Sequence, residues 1–269
     1  MKLPRDLITR LDVVIQAAHA AGEILREGFH SGVIAYDTKS NRNDLVTEFD
    51  LRADRLIVDM IRNHFPTDGV LTEERGIDGT SENGQWVIDP LDGTNNFSRH
   101  IPHFAVSIAF CEGYRPLMAC IHNPICGETY TAIRGTGAHL NETDLRVSAQ
   151  SSLEGAFLAA GSSKHTALRD AIHKQMLPFL RAARAIRTTG SAALDLAYVA
   201  AGRFDGAWYP SLSWWDVAAG ILLIEEAGGQ STDYQGQQFE GATSGIVASN
   251  GHLHDSIRNY VGEGGDGER

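Results

Sequence analysis

The stretch that decides the fold is Trp86-Val87-Ile88-Asp89-Pro90-Leu91-Asp92-Gly93-Thr94-Asn95-Asn96-Phe97. Its apolar start predicts a short buried strand that stops at Asp89, because Pro90 holds the preceding residue extended and bars a helix there. Asp92 follows three residues later, and the next two residues can begin a helix. Two carboxylates at a strand end, followed by free backbone N–H groups, predict a site for a cation on the acids and an anion such as phosphate on the N–H groups.

The same stretch has a simpler interpretation. Asp-Pro and Asp-Gly pairs are common in turns, and most such turns have no chemical role. A bound metal and a phosphate together would supply what metal-assisted phosphate chemistry requires. Acidic residues elsewhere in the chain therefore have to decide between a reactive site and an ordinary turn.

Composition and charge restrict the class of protein. The chain has 269 residues, which is enough for one large domain or for two joined lobes. It carries 34 acidic and 23 basic residues, so the net charge is −11. This balance argues against nucleic acid as the main partner, because phosphate backbones are bound by clustered Lys and Arg. No apolar run approaches the ~20 residues that cross a bilayer, so we expect no membrane partner.

The cysteines and histidines point to no metal cluster of their own. Cys111, Cys120 and Cys126 are odd in number and lack the spacing of metal ligands. The eleven histidines are scattered and fit no zinc pattern. With no secretory signal at the N-terminus, we expect a reducing cytoplasm.

The first half of the chain has an α+β pattern. Apolar residues at helical spacing predict one helix over residues 4–29 and a second that ends near residue 65. Thr47 and Asp50 have the spacing of a capping box, so Asp50 has a purely structural interpretation as a helix cap. An antiparallel meander follows, which suggests a sheet with helices on one side. Its predicted strands are 104–110, 117–122 and 128–133.

From about residue 141, strands and helices alternate, which is typical of an α/β layer. Ser191 is the predicted N-cap of a helix over 192–201. Ser213 and Asp216 repeat the capping-box spacing at another helix start, so Asp216 has a structural interpretation as well. Two tryptophans precede Asp216 and would shield it from water, and a buried carboxylate is costly without a cation. The predicted strands here are 157–160, 204–209 and 245–248.

Four motifs, taken in chain order, resemble those of the inositol monophosphatase family. They are Asp44-Leu45-Val46-Thr47-x-x-Asp50, then Glu73-Glu74, then Asp89 to Phe97, then Trp215-Asp216-Val217-Ala218-Ala219-Gly220 with Glu226-Ala227-Gly228-Gly229. The family consists of magnesium-dependent, typically lithium-sensitive sugar phosphatases. The resemblance runs from the first predicted helix to the last predicted strand, and the motifs stand at family spacing.

The resemblance implies a fold and an assembly. The fold would combine α+β and α/β parts in a layered αβαβα sandwich of the sugar phosphatase type. Residues 1–141 would form an N-terminal α+β lobe with the metal site, and residues 142–269 a C-terminal α/β lobe that contributes Asp216 and substrate contacts. The protein would be a cytoplasmic homodimer, with its active site between the two lobes.

The resemblance also implies a set of metal ligands. One magnesium ion would be held by Glu73, Asp89 and the carbonyl of Leu91. A second would be held by Asp89, Asp92 and Asp216, with Asp89 bridging the two ions. A third, weaker ion near Glu73 is common in the family, and water would complete each coordination shell.

Catalytic and phosphate-binding roles follow from the same resemblance. Thr94, hydrogen-bonded to Asp50, would orient the water that attacks phosphorus, and Glu74 would support the ligands from behind. We expect no phosphorylated enzyme residue. Lys39 matches a basic family position near the site, although it is also compatible with a solvated loop lysine. The phosphate end of the substrate would contact Leu91, Asp92, Gly93 and Thr94.

The organic part of the substrate would meet the second lobe. By resemblance, Gly190, Ser191, Ala192 and Asp216 would face the sugar hydroxyls. Arg187 would lie at the pocket edge or at a dimer contact, unless it is a plain surface arginine.

One position departs from the family pattern. Inositol-acting members usually carry a glutamate seven residues before the aspartate of the Trp-Asp motif, and this chain has Tyr209 there. A tyrosine offers one hydroxyl and an apolar ring instead of a carboxylate. The metal ligands are therefore intact while the specificity element is altered. Alternatively, Tyr209 is only a strand residue.

These observations predict a magnesium-dependent phosphomonoesterase that acts on inositol monophosphate or a similar small polyol phosphate. Histidinol phosphate, fructose 1,6-bisphosphate and 3′-phosphoadenosine 5′-phosphate are alternative substrates for the same chemistry. A different class of function is a non-catalytic, acidic interaction protein that has the same fold. Every acid of the motifs is present, which favours the enzyme.

Overall fold

A computed structural model describes residues 5–39, 45–80, 84–161, 166–241 and 245–263. The helices in these ranges are α1 (Arg5–His30), α2 (Glu48–His64), α3 (Thr94–Ser98), α4 (Thr166–Ala182), α5 (Ala192–Ala200), α6 (Trp214–Glu226) and α7 (His254–Glu263). None of them combines the length and the apolar composition needed to cross a membrane. Pro4, at the predicted start of the first helix, and Asp44, at the start of the first motif, lie outside the described residues.

The strands within the described ranges form two main sheets and a small two-stranded one. They are β1 (Tyr36–Thr38), β2 (Leu45–Thr47), β3 (Gly69–Thr72), β4 (Gly76–Asp78), β5 (Gln85–Asp92), β6 (Ala105–Glu112), β7 (Arg115–Asn123), β8 (Glu128–Ile133), β9 (Ala138–Leu140), β10 (Thr143–Asp144), β11 (Phe157–Ala160), β12 (Ala185–Arg187), β13 (Gly206–Tyr209), β14 (Gln230–Asp233) and β15 (Ile246–Ser249). The first large sheet has the order β10-β9-β8-β7-β6-β5-β3-β4, and the second has the order β12-β11-β13-β15-β14.

Three apolar cores join these elements into five layers. The outer helices α1 and α2 pack on one face of the first sheet, where Leu25 and Ile57 meet Trp86. The middle helices α5 and α6 lie between the two sheets and share a core with both. Helices α4 and α7 cover the outer face of the second sheet, where Phe179 and Ile257 contact the core around β13. The predicted αβαβα sandwich is confirmed. The layers pack together because burial of their apolar faces on one another removes most of that surface from water.

The expectation that helices cover the meander on one side only is wrong. Strands β5 to β8 are almost entirely buried, because α1 and α2 cover one face of the sheet and α5 and α6 cover the other. A strand buried on both faces has an apolar run with little alternation, and residues 104–110 are apolar except for Ser107, so the sequence did carry a sign of the second covered face. The sheet also continues past residue 141, since β10 pairs with β9, and the division into two lobes stays a prediction.

Strand β5 is longer than the predicted one. It continues past Asp89 to Asp92, and its pairing with β6 is irregular between these two residues. Pro90 lies inside this irregular segment, where its missing N–H cannot serve the ladder. The irregular end of β5 leads directly into α3, so the carboxylates of Asp89 and Asp92 stand at a strand end, as the sequence suggested.

The far end of α6 is anchored to the first sheet by one carboxylate. Glu226 accepts hydrogen bonds from the backbone N–H groups of Gly135, Thr136 and Gly137, at 2.7, 3.0 and 2.8 Å. Consecutive N–H groups in a turn form a concave anion-binding site. The Gly-x-Gly segment after β8 therefore holds a side chain of the protein itself, and it fixes the position of the helix that begins near Asp216.

This anchor generates a test of stability. Glu226→Ala should lower the free energy of unfolding by about 2 kcal/mol, because hydrogen bonds to a charged group are worth more than neutral ones. Glu225→Ala is a matched control, since its carboxylate pairs with Arg134 at a partly exposed position and such pairs contribute about 0–1 kcal/mol. The measurement is urea unfolding of both variants, and equal losses would contradict the role given to Glu226.

Candidate active site

Three acids that are far apart in the sequence converge at the seam between β5 and α6. One carboxylate oxygen from each of Asp89, Asp92 and Asp216 lies within 4.8 Å of the others. Asp89 and Asp92 are buried at the end of β5, and Asp216 is half-buried in the first turn of α6. The structure therefore brings together three of the four acids whose side chains were predicted to bind metal.

The electrostatics of this group favour a cation. Burial raises the pKa of Asp89 well above its ordinary value, and the nearby charges of Glu73, Asp92 and Asp216 raise it further. Burial also raises the pKa of Asp92 to about 6, even though several donors stabilise its charged form. Grouped hard carboxylate oxygens are the ligands that magnesium prefers. The donor set thus fits a divalent ion, whose charge would relieve the repulsion among the acids.

Asp92 is held by the start of α5, in the second half of the chain. Its carboxylate accepts hydrogen bonds from the Ser191 hydroxyl and from the backbone N–H groups of Ala192 and Ala193, the latter two at 3.3 and 2.9 Å. Ser191 is also the N-cap of α5, as predicted, and accepts from the N–H of Leu194. The helix N-terminus therefore stabilises the charge of Asp92. Contact of Ser191 and Ala192 with a sugar stays a prediction.

Asp50 is a helix cap and also contacts Thr94, and its catalytic role stays a prediction. One of its oxygens accepts from the N–H of Thr47 at 2.8 Å and from the Thr47 hydroxyl at 2.5 Å, which completes the capping box of α2. Its other oxygen accepts from the Thr94 hydroxyl at 3.1 Å. Burial raises the pKa of Asp50 to about 6, although these donors act to lower it. The Thr94 hydroxyl also lies 3.0 Å from the Leu91 carbonyl, the predicted backbone ligand.

Glu73 and Glu74 are bridged by a lysine. The Lys39 ammonium lies 3.0 Å from a Glu73 oxygen and 2.6 Å from a Glu74 oxygen. Burial acts to lower the pKa of Lys39, but the two glutamates outweigh this effect and hold it above its ordinary value. Burial raises the pKa of Glu74 to about 7. Lys39 is therefore ion-paired at the edge of the site, while Glu73 is placed to act on Asp89 through its charge.

Two glycines at the site have backbone conformations that favour glycine. Gly93 has a φ of 98° and is the N-cap of α3, and a Cβ atom there would lie 3.0 Å from the carbonyl oxygen of His103. Gly190 has a φ of 89°, and a Cβ atom there would lie 3.0 Å from the side chain of Asn96. Phosphate binding by the N–H groups of Gly93 and Thr94, and contact of Gly190 with a sugar, stay predictions.

Sequence reasoning assigned no role to Asn96 and Asp195. The Asn96 amide donates to the carbonyls of His103 and Thr189 at 2.7 and 2.8 Å, so it joins α3 to the loop before α5. Asp195 is buried and accepts from Thr189 and Tyr209. Asn96 lies in the stretch 86–97 that decides the fold, and this position was the available sign that it has a role. For Asp195 there was none, because an acid in the first turn of a helix is common for reasons of the helix dipole alone.

Tyr209 and Arg187 were also predicted to contact the substrate, and in the structure both contact other parts of the protein. Tyr209 is buried, and its hydroxyl donates to Asp195. Arg187 is exposed, lies over the Phe157 ring at 5.3 Å and donates to the Ile186 carbonyl. Neither of these contacts involves the acidic group, and the roles of both residues toward a substrate stay predictions.

Comparison with known proteins gives consistent results. A profile of the inositol monophosphatase family matches residues 6–264. Nus factor SuhB of Escherichia coli K12 is 41% identical over 249 residues, which cover 89% of this chain and 91% of that protein. Inositol-1-monophosphatase of Rhizobium meliloti is 41% identical over 256 residues, which cover 93% and 95%.

Solved structures show the same likeness. The extragenic suppressor protein suhB from Bartonella henselae superposes with a TM-score of 0.89 at 37% identity, covering 94% of this chain and 98% of that chain. The IMPase of Thermotoga maritima gives a TM-score of 0.88 at 36% identity, covering 96% and 98%. The five layers and the acidic group at their seam thus define a fold of the sugar phosphatase type. Within that class, the chain belongs to the inositol monophosphatase family.

The acidic group generates a prediction about pH. The raised pKa of Asp89 means that the folded protein keeps a proton that the unfolded chain loses above about pH 4, so this residue lowers stability as the pH rises. Without metal, Asp89→Asn should therefore be more stable than the wild type by about 1 kcal/mol or more at pH 8, and the gain should shrink toward pH 4.

Urea unfolding in EDTA at several pH values measures this gain. Asp59→Asn is the control, because Asp59 is exposed on α2 and its replacement should change stability by less than about 0.5 kcal/mol. A gain for Asp89→Asn that is absent or independent of pH would show that repulsion in the acidic group is unimportant.

Proposed function

We propose that the protein is a magnesium-dependent phosphomonoesterase that hydrolyses inositol monophosphate or a similar small polyol phosphate. The observation that carries this proposal is the convergence of Asp89, Asp92 and Asp216 within 4.8 Å of one another. Membership of the inositol monophosphatase family supports the same conclusion. The protein would act in the cytoplasm as a homodimer.

In this proposal the acids hold two or three ions. Glu73, Asp89 and the Leu91 carbonyl would bind the first, Asp89, Asp92 and Asp216 the second, and Glu73 would take part in a weaker third site. Bound magnesium would supply positive charge at the phosphate and lower the pKa of a coordinated water. The hydrogen bonds from α5 to Asp92 would fix the orientation of one ligand before any ion arrives.

The Thr94–Asp50 pair would move the proton. The Thr94 hydroxyl donates to Asp50, so it can accept a proton from the attacking water while it passes its own to that carboxylate. The pKa of Asp50, raised to about 6, suits a group that takes up a proton near neutral pH. Glu74 would support the metal ligands from behind, since Lys39 links it to Glu73.

Substrate binding would use both halves of the chain. Residues 91–94 would hold the phosphate, and the N–H groups at the start of α3 would bind its oxygens. Gly190, Ser191, Ala192 and Asp216 would meet the organic part, and Arg187 would lie at the pocket edge or at a dimer contact. The same chemistry could serve histidinol phosphate, fructose 1,6-bisphosphate or 3′-phosphoadenosine 5′-phosphate, because the metal ligands do not select the alcohol.

A second candidate function is binding without catalysis. Several relatives that are 38% to 41% identical to this chain are named Nus factor SuhB, and such a name describes a factor rather than an enzyme. The chain itself has a net charge of −11, which suits a basic partner surface. In this alternative the acids would stabilise the fold with a bound ion, and no ester would be turned over.

Phosphate release separates the two candidates. The purified protein should release phosphate from inositol 1-phosphate or another ester of a panel in the presence of magnesium, and release should stop in EDTA. Asp92→Asn should reduce release to the background rate, because the second ion loses a charged ligand while the side-chain volume is unchanged.

Two controls make the result decisive. Circular dichroism should show that Asp92→Asn is folded, and Asp59→Asn should turn over like the wild type because Asp59 is exposed on α2. Near-normal release by folded Asp92→Asn would contradict the metal assignment. No release from any ester by the wild type would favour the binding function.

A further inference from the structure

Three polar groups, one half-buried and two buried, form a hydrogen-bonded chain that the proposed reaction does not use. The carboxylate of Asp195 accepts from the Thr189 hydroxyl at 2.8 Å through one oxygen and from the Tyr209 hydroxyl at 2.5 Å through the other. Asp195 and Tyr209 are almost completely buried. Each oxygen of Asp195 thus has one strong donor, and each donor comes from a different segment of the protein.

At the Thr189 end, this hydrogen-bonded chain lies next to the donors that hold Asp92. Thr189 precedes the start of α5, and the N–H of Ser191 lies within hydrogen-bond distance of the Thr189 hydroxyl, at 3.4 Å. Ser191 and Ala193 in turn donate to the Asp92 carboxylate. A shift of Thr189 would therefore move the donors that hold Asp92.

The Tyr209 side leads to Asp216. Tyr209 is the last residue of β13, and Ser213, four residues later, is the N-cap of α6. The Ser213 N–H donates to Asp216 at 2.6 Å. The Tyr209 ring also lies against Gly161, where an added Cβ atom would stand 2.0 Å from the ring, so the ring has little room to move toward that side.

Asp195 consequently joins the segment that holds Asp92 to the segment that carries Asp216. We propose that the Tyr209–Asp195 hydrogen bond positions these two acids relative to each other and so sets the affinity of the site for magnesium. Tyr209 is then a positioning residue, and its hydroxyl is committed to Asp195. This inference rests on the proposed function in that it takes the two acids as metal ligands.

The pairing also bears on what a glutamate at position 209 would do in this protein. A glutamate in place of Tyr209 would bring a second carboxylate toward the buried Asp195, and two such charges repel strongly in a site with little water. A tyrosine supplies the donor that a buried carboxylate needs. In this protein, a tyrosine at position 209 therefore suits Asp195 better than a glutamate would.

The test is the magnesium affinity of Tyr209→Phe, measured by isothermal titration calorimetry on the metal-free protein without any ester. This change keeps the ring against Gly161 and removes only the hydroxyl. We expect the magnesium dissociation constant to rise about 10-fold, because loss of a group that supports metal ligands commonly costs 10- to 100-fold in affinity. Asp195→Asn should weaken binding at least as much, since it replaces one of the two accepting oxygens.

Tyr130→Phe is the matched control. Tyr130 is also buried, and its hydroxyl donates to the Glu128 carboxylate at 2.6 Å, away from the acidic group. Both Tyr→Phe changes should lower stability in urea, whereas only Tyr209→Phe should weaken magnesium binding. Wild-type magnesium affinity in folded Tyr209→Phe would overturn the inference, and so would an equal loss in both variants.

The outcomes also separate this inference from the proposed function. A raised KM for the ester in Tyr209→Phe, with unchanged magnesium affinity, would make Tyr209 a substrate contact and overturn the positioning role. A wild-type protein that binds magnesium but hydrolyses no ester would overturn the proposed function alone, and the affinities of the two variants would still decide the inference. A wild-type protein that binds no magnesium would overturn both.

Discussion

The main constraint on the structure is that three acidic side chains lie close together in a site with little water. Asp89 and Asp92 are buried, Asp216 is half-buried, and an oxygen of each lies within 4.8 Å of the others. Such an arrangement opposes folding unless each charge has donors or a cation. Much of the architecture around the seam supplies those donors. The irregular end of β5 presents two of the acids, and the middle helices provide N–H groups and the third acid.

The middle layer serves the site through the starts of its two helices. The first N–H groups of α5 bind Asp92, and Asp216 lies in the first turn of α6. A helix N-terminus carries a partial positive charge, so both helices stabilise negative charge where the acids gather. The other end of α6 is fixed by Glu226. The helices that fill the space between the sheets are therefore also the ones that orient the acidic group.

The features that sequence reasoning found are local ones. The capping pairs Thr47–Asp50 and Ser213–Asp216 and the N-cap Ser191 were recognisable because each involves residues two or three apart. In two of these cases the structural and the functional interpretation turned out to be compatible, since Asp50 is a cap and a partner of Thr94, and Asp216 is a cap and a member of the acidic group.

The features that it did not find join residues far apart in the chain. Nothing in the sequence near Asn96 indicates that its amide reaches Thr189, and nothing near Glu226 indicates the turn after β8. The second covered face of the first sheet had a local sign in the apolar, weakly alternating strands, but the sequence does not show which distant helices cover that face. The short edge strands β12 and β14 gave too little periodicity to be predicted.

The hold of α5 on Asp92 has a consequence for how the protein is made. Asp92 leaves the ribosome about a hundred residues before Ser191 and Ala193, which are its main donors. Strands β5 to β8 likewise emerge before the helices that cover their second face. The nascent first half of the chain therefore exposes both an apolar sheet face and an uncompensated acid until translation has passed α6. The last third of the chain thus completes the structure of the first half.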